Sequence, residues 1–434
     1  MLVQFRVENH RSLRDEQVLS MVAATVGDKS DERLIRPEGL GEALLPAVAL
    51  YGANASGKSN LMSALDFMRE AVLGSYRVWE PKGGTPQEPF VLSSKENESS
   101  LYEVDIVVEG VRYRYGFVIS ARRVEEEWLH AWPRGRKQTW FQRKGDEFEF
   151  GKYMHGENEA IKALTRTNSL YLSTAAQNNH AQAMLIFEWF RATRFELRRG
   201  PARALDPVHV TALGDLFVTR RQMSLFKEDS EADARDRDAI VRLMQAADVG
   251  ILDLKAADRE GFRKERGAFR RHVGKDYDFF FLHKTQFKGG VWLPLDWESS
   301  GTITLLGIAT RLVTILRKGG LLCVDELEAS LHPMLALEIL RLFNDPAHNL
   351  RGAQLMFTTH DTNLLGNVLG EPPLRRDQIW FTEKDQTGAT KLYPLTDFHP
   401  RKEENLERGY LQGRYGAIPF LGELVPDSSD KEGS

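Results

Sequence analysis

The chain has 434 residues, enough for about two or three domains, and its 42% hydrophobic and 28% charged residues exclude a mainly disordered protein. A formal net charge of −4 excludes nucleic-acid binding through bulk charge alone, so such binding would need a local basic patch. The single cysteine, Cys323, excludes an intrachain disulfide and a cysteine-built metal site, which favours a reducing cytoplasm. Because no basic leader and no run of about 18 apolar residues occur, we expect neither export nor a membrane span.

The N-terminal region predicts a strand, a loop and a helix in succession. Residues 2–8 alternate as an opening strand, and 47–51 form a short apolar strand that leads into a glycine-rich loop. Beyond the loop, apolar residues recur at spacings of three and four, so we expect a helix packed by one face against a sheet. These residues are Leu61, Ala64, Leu65, Met68 and Val72.

The loop has the pattern Gly-x4-Gly-Lys-Ser, whose backbone N–H groups and following helix N-terminus cradle phosphates. Its residues are Gly52, Ala53, Asn54, Ala55, Ser56, Gly57, Lys58 and Ser59, followed by Asn60. Lys58 would reach the β- and γ-phosphates, and the Ser59 hydroxyl would hold Mg²⁺. The alternative is a turn that happens to contain a lysine. The strand before the loop and the helix after it favour a site for ATP and Mg²⁺.

The middle of the chain changes in character. Two β-rich runs, 101–108 and 111–118, are separated by Glu109-Gly110 and predict a hairpin. From about residue 155 to 285 the sequence is charged and favours helices. It contains two basic stretches, 191–203 and 259–275, which could bind nucleic acid, bind a protein, or be solvated helix faces.

A carboxylate pair follows the apolar run 321–324, which predicts a buried strand. Asp325 would contact Mg²⁺ directly or through water, and Glu326 would polarise the attacking water as a general base. Adjacent carboxylates at a strand end can also be simply solvated. The phosphate loop makes the catalytic interpretation the stronger one.

Two further features follow the layout of an ATP-binding cassette. Another apolar strand, 355–358, comes before His360, and in cassette ATPases a histidine at this place contacts the γ-phosphate. Upstream, Ser300, Gly301 and Thr302 open a predicted helix over 303–316, and a serine and glycine at a helix N-terminus can bind an anion. In cassette ATPases such a signature binds the γ-phosphate held by the other subunit, which implies a dimer with ATP at the interface. The alternative is a plain helix cap.

The opening segment 5–13 resembles the first strand of SMC and RecF-like ATPase heads, in which a basic residue after an asparagine lies near nucleotide; here this residue is Arg11. The phosphate loop, the Ser-Gly-Thr signature, the segment 324–333 and the late segment 410–419 together resemble the bacterial AAA-type ATPases of the RloA and abortive-infection group. That resemblance also places Ser330 in the nucleotide site. It implies a cassette-type head that dimerises on ATP and is encoded near restriction, nuclease or other phage-defence genes.

We therefore expect an α/β P-loop NTPase of ABC/SMC-like cassette type, with a β-hairpin subdomain and a mostly helical insertion. The predicted divisions are a first head part over 1–155, an insertion over 156–285, a second head part over 286–425 and a disordered tail over 426–434. Gln87 is a weak candidate for the glutamine that links a cassette site to a partner domain.

The expected function is Mg²⁺-dependent ATP hydrolysis in the cytoplasm that controls a separately encoded nuclease or toxin in phage defence. The alternatives are a RecF-like DNA-repair ATPase and a non-hydrolysing scaffold that uses ATP only to fix its dimer. Nucleic acid remains a possible partner, and a membrane is not expected.

Overall fold

The computed structural model describes residues 1–24, 31–197, 213, 216–217, 227–247, 250–258, 277–286, 289–328, 331–366, 372–401 and 404–418. The predicted tail 426–434, the basic stretch 259–275 and the end of the basic stretch 191–203 lie outside these ranges. Among the helices within them, none combines the length and the hydropathy needed to cross a lipid bilayer.

The strands in chain order are β1 (Leu2–Glu8), β2 (Gln17–Ser20), β3 (Ala47–Gly52), β4 (Ser100–Val108), β5 (Val111–Ile119), β6 (Val124–Trp132), β7 (Gln138–Lys144), β8 (Glu147–Phe150), β9 (Arg194–Glu196), β10 (Ile251–Asp258), β11 (Tyr277–His283), β12 (Val291–Pro294), β13 (Leu321–Val324), β14 (Gln354–Thr358), β15 (Ile379–Lys384) and β16 (Thr390–Pro394). The helices are α1 (Lys58–Gly74), α2 (Asn158–Leu164), α3 (Tyr171–Gln177), α4 (Ala181–Ala192), α5 (Lys227–Ala247), α6 (Ser300–Lys318), α7 (Pro333–Asn344) and α8 (Leu406–Leu411).

An antiparallel sheet of seven strands has the order β2-β1-β4-β5-β6-β7-β8. The predicted hairpin is its β4–β5 pair, in which Val108 pairs with Val111 across a two-residue turn. Both turn residues, Glu109 and Gly110, have positive φ angles of 49° and 73°, as a type I′ turn requires. This turn matches the right-handed twist of the two strands and so fixes their register.

The second sheet has six strands in the order β16-β15-β3-β14-β13-β9. Its strands are parallel from β15 to β9, and only the edge strand β16 runs antiparallel. The strand of the phosphate loop, β3, therefore lies next to β14, and β14 separates it from β13, the strand before the carboxylate pair. Because parallel strands end at the same edge, the loops that follow all three meet there.

Residues of the six-stranded sheet alternate between two hydrophobic clusters. Leu321 and Cys323 of β13 pack with α1, α4 and the seven-stranded sheet, whereas Leu322 and Val324 pack with α6 and α7. This alternation follows from the two-residue period of a strand. Cys323 is fully buried as predicted, and burial raises the pKa of its thiol.

The packing on the N-terminal side continues past residue 156, where we placed the start of the insertion. Helices α3 and α4 share the hydrophobic cluster of α1 and the seven-stranded sheet, and β9 joins the six-stranded sheet beside β13. Within the described residues of 156–285, helices are accompanied by β10 and β11, which pair with each other and with β12. Charge and helix propensity could not reveal this, because they do not say which sheet an amphipathic helix covers.

Candidate nucleotide site

The phosphate loop follows β3 directly, and α1 begins within it at Lys58. Gly57 has a φ of 108°, and a Cβ atom there would lie 2.1 Å from Thr390 Oγ1. Ala55 also takes a left-handed conformation, with a φ of 62°. Only glycine fits at position 57, because both the backbone angle and the space exclude a side chain.

A network of hydrogen bonds between hydroxyl and amide groups fixes the phosphate loop to neighbouring strands and to the N-terminal segment. The Ser56 hydroxyl lies 2.6 Å from that of Thr382 on β15, and the Thr390 hydroxyl donates to the Ser56 carbonyl at 2.8 Å. Thr390 also contacts the Ser12 hydroxyl at 2.8 Å, and the amide of Asn60 donates to Ser12 at 2.6 Å. Sequence reasoning identified Asn60 but missed Ser12, Thr382 and Thr390, because isolated hydroxyl residues give no local signal of a loop far away in sequence.

The Lys58 ammonium lies over its own loop. Its Nζ donates to the carbonyls of Gly52 at 2.8 Å and Ala53 at 3.0 Å, and only 6% of the residue is exposed. Burial lowers the pKa of Lys58, while the nearby carboxylates of Asp325 and Glu326 oppose this shift. The cation is thus held at the loop by groups that a bound phosphate can replace.

The predicted metal-binding pair is in direct contact. Ser59 Oγ donates to Asp325 Oδ1 at 3.0 Å, and the buried Thr358 hydroxyl donates to the same oxygen at 2.7 Å. Thr358 Oγ1 in turn accepts the backbone N–H of Glu326 at 2.6 Å. Thr358, which sequence reasoning did not single out, therefore positions both carboxylate residues.

Glu326 itself has a φ of 55°, an unusual left-handed conformation for a residue with a side chain. The backbone there is fixed on both sides, because Asp325 N–H donates to Glu196 O at 2.9 Å and Leu327 N–H donates to Thr358 O at 3.0 Å. Strain of this kind at a candidate general base is consistent with a geometry imposed by the surrounding fold.

His360 follows β14 at the same edge and is exposed. Its backbone N–H donates to Glu328 Oε1 at 2.5 Å, and Glu328 Oε2 is buried without a hydrogen-bond partner among the described residues. Partial desolvation and then the charge of Lys58 lower the pKa of His360, against the attraction of the site carboxylates, which favours the neutral imidazole. The structure therefore brings His360 to the edge that carries Lys58.

The predicted signature lies at the start of α6, which begins at Ser300. The preceding Ser299 caps the helix: its Oγ accepts the Thr302 N–H at 3.1 Å and lies 2.9 Å from Thr302 Oγ1. Gly301 is in the first turn. The Ser300 side chain and the whole of Ser330 lie outside the described residues.

Residues 47–366 match the family described as "AAA domain, putative AbiEii toxin, Type IV TA system". The chain belongs to this family. No curated protein matches the sequence significantly.

Solved structures resemble this AAA-family chain at low sequence identity. The SMC head bound to the C-winged helix domain of ScpA has 13% identity and a TM-score of 0.46, and the match covers 92% of this chain and 99% of that one. The SMC head domain from Thermotoga maritima has 12% identity and a TM-score of 0.37, covering 91% and 98%. The strand, phosphate loop and helix observed here, together with the family, confirm the expected α/β P-loop ATPase fold.

Two remaining sequence predictions lie near the loop. Arg11 has a φ of 50°, its N–H donates to Glu88 O at 2.8 Å, and its guanidinium pairs with the Glu88 carboxylate. The next residue, Ser12, contacts Asn60, so Arg11 lies one residue from the support of the loop. The Gln87 side-chain amide donates to Glu98 O at 2.8 Å and to Ser100 Oγ at 2.9 Å, so residues at the start of β4 hold it.

The residues at this edge fit a nucleotide with its metal ion. Loop N–H groups and Lys58 suit phosphate oxygens, and the Ser59 hydroxyl and Asp325 carboxylate are oxygen donors of the kind that Mg²⁺ prefers. When bound, ATP would supply the γ-phosphoryl group and Mg²⁺ would neutralise charge on the phosphates.

Proposed function

We propose that this AAA-family chain is a Mg²⁺-dependent ATPase that closes as a dimer on ATP and controls a separate effector. The observation that carries the proposal is the contact of Ser59 with Asp325, with Thr358 bound to both Asp325 and Glu326. It joins the end of the phosphate loop to the carboxylate pair, although the two segments are 266 residues apart in sequence.

Each residue then has a defined task in hydrolysis. Lys58 exchanges the carbonyls of Gly52 and Ala53 for phosphate oxygens, and Ser59 and Asp325 hold the metal ion. Glu326 accepts a proton from the attacking water at its carboxylate. His360 donates a hydrogen bond from its imidazole at the γ-phosphate position.

A dimer would complete the site. The N-terminus of α6, with Ser300, Gly301 and Thr302, would bind the γ-phosphate held by a second copy, because a helix N-terminus presents free N–H groups and a positive dipole end. We assign Arg11 and Ser330 to the nucleotide site on the resemblance to SMC and abortive-infection ATPases.

The biological role rests on the family. Its description names the AbiEii toxin and type IV toxin–antitoxin systems, which supports a regulatory ATPase in bacterial phage defence whose partner is a separately encoded nuclease or toxin. We propose a cytoplasmic location, which the single cysteine of the chain favours.

The test measures ATP hydrolysis and molar mass of the wild type, Lys58→Ala and Glu326→Gln, with and without Mg²⁺. Glu126→Gln, at an exposed position of β6, is the matched control for the carboxylate change. We expect Glu326→Gln to lose turnover by a factor of about 10²–10⁴, the usual contribution of a general base, and to accumulate as an ATP-bound dimer. Lys58→Ala should lose turnover because it removes the cation that binds the phosphates. Wild-type protein that neither hydrolyses ATP nor changes mass with it would refute the proposal.

A further inference from the structure

The exposure of one tryptophan differs from that of all the others. The sequence contains eight tryptophans, and all lie in the described ranges. Seven are buried or half-buried, namely Trp79, Trp128, Trp132, Trp140, Trp189, Trp292 and Trp380. Trp297 is 75% exposed. An indole has a large apolar surface, so leaving one in water forgoes a substantial gain in free energy.

The exposed indole stands on an ordered turn. Residues Leu295–Trp297 form a 3₁₀ turn, in which the N–H of Glu298 donates to Leu295 O at 3.0 Å. Leu295 packs against the hydrophobic cluster of α6 and α7, and the Glu298 carboxylate contacts His283 Nε2 at 2.7 Å with 5% of its side chain exposed. Trp297 is thus presented between two anchored residues, and burying it in an interface would cost little backbone entropy.

The position of the turn indicates what the indole meets. Trp297 is three residues before Ser300, and three residues span at most about 10 Å, so the backbone of Trp297 lies within that distance of the N-terminus of α6. A long exposed side chain at this distance is within reach of a protein surface that brings a phosphate to the helix end. Asp296 beside it is exposed and would repel the phosphodiester backbone of a nucleic acid, which favours a protein surface over stacked bases.

We propose that Trp297 is a closing contact of the ATP-bound dimer, in which its indole packs on the protein surface of a second copy of this chain beside the nucleotide held there. This inference rests on the dimer of the proposed function. Tryptophan is among the residues that most often dominate binding at protein interfaces, and an ordered, exposed tryptophan has the properties of such an anchor.

The experiment uses the full chain with Glu326→Gln to hold ATP, and analytical ultracentrifugation with ATP and Mg²⁺ to measure the dimer dissociation constant. We compare Glu326→Gln alone with Glu326→Gln carrying Trp297→Ala, Trp297→Phe, or Tyr153→Ala, the last removing another exposed aromatic ring. We expect Trp297→Ala to raise the dissociation constant by about 30-fold or more, Trp297→Phe to restore part of the loss, and Tyr153→Ala to change nothing.

Two further readouts separate the possible failures. ATP affinity of the monomer, measured with a fluorescent ATP analogue at low protein concentration, should be the same with and without Trp297→Ala, which also reports that the site is folded. An unchanged dimer constant in Trp297→Ala overturns the inference while the proposed function stands. Absence of any dimer in Glu326→Gln overturns both. Loss of binding to a single-stranded oligonucleotide, with the dimer constant unchanged, would assign the surface to nucleic acid and overturn the inference.

Discussion

Two carboxylate networks in this protein use the same kinds of partner in different ways. In the seven-stranded sheet, Glu127 is completely buried and accepts the N–H groups of Tyr171 and Leu172 at 2.6 and 2.9 Å and the Tyr115 hydroxyl at 3.0 Å. Arg143, also buried, lies 3.7 Å away. The two oxygens of Glu127 are therefore surrounded by donors supplied by the fold.

At the edge of the six-stranded sheet, Asp325 and Glu328 have donors on one carboxylate oxygen each. Asp325 accepts from two hydroxyls and is half-buried, and Glu328 keeps a buried oxygen with no hydrogen-bond partner in the described ranges. An unsatisfied buried acceptor costs free energy unless a ligand supplies the missing donor. Glu127 thus finds its donors within the fold, whereas we propose that the site carboxylates keep capacity for a ligand.

The largest expected effect is the loss of folding stability when Glu127 is removed. Replacing Glu127 by alanine leaves the buried Arg143 guanidinium without its carboxylate, and loss of one partner of a buried ion pair costs about 3–5 kcal/mol. We expect this loss in the free energy of unfolding by urea denaturation. Glu126→Ala, at the exposed neighbouring position, should change it by less than about 0.5 kcal/mol. Equal stability of the two variants would mean that the buried contacts of Glu127 do not stabilise the fold.

The next effect is on turnover. Thr358→Val keeps the shape of the buried side chain but removes the hydroxyl that binds both Asp325 and the Glu326 N–H, and loss of such a supporting contact usually costs 10–100-fold in activity. We expect a decrease of about this size in kcat, with Thr314→Val on α6 as a control without effect. If kcat is unchanged, Thr358 only fills space.

A smaller effect on kcat shows whether Glu328 acts as a hydrogen-bond acceptor or through its charge. Glutamine can still accept the His360 N–H, whereas alanine cannot. We expect Glu328→Ala to lower kcat by about tenfold, equivalent to about 1.4 kcal/mol, and Glu328→Gln to lower it less. An equal loss in the two variants would show that the charge of Glu328, and not its hydrogen bond, matters to the site.

The smallest effect is expected at the exposed pair of Arg11 and Glu88, whose side chains are each 46% exposed. Since exposed ion pairs contribute about 0–1 kcal/mol, Glu88→Gln should hardly change the urea midpoint. Arg11→Ala tests whether Arg11 contacts nucleotide or only pairs with Glu88. If it contacts nucleotide, the KM for ATP rises while stability stays constant. An unchanged KM would remove Arg11 from the predicted site.

The sequence predicted the elements of the fold well where the signal is local. The strand over 47–51, the strand over 321–324 and the hairpin turn at Glu109-Gly110 all appear within a residue of their predicted bounds. The helix predicted over 303–316 is longer by a turn at its start and by two residues at its end. Helix ends are set by caps such as Ser299, which a periodic apolar pattern does not contain.

By itself, the sequence determined the phosphate loop, the carboxylate pair and the succession along the chain of the strands that carry them, because each is written in consecutive residues whose chemistry and spacing are local. Only the tertiary structure decided that Thr358 joins the carboxylate pair, that Thr390 and Ser12 support the loop across 378 residues, and that Trp297 stays in water. These contacts depend on which strands become neighbours in a sheet, and that choice minimises the free energy of the whole core and leaves no mark on any single segment.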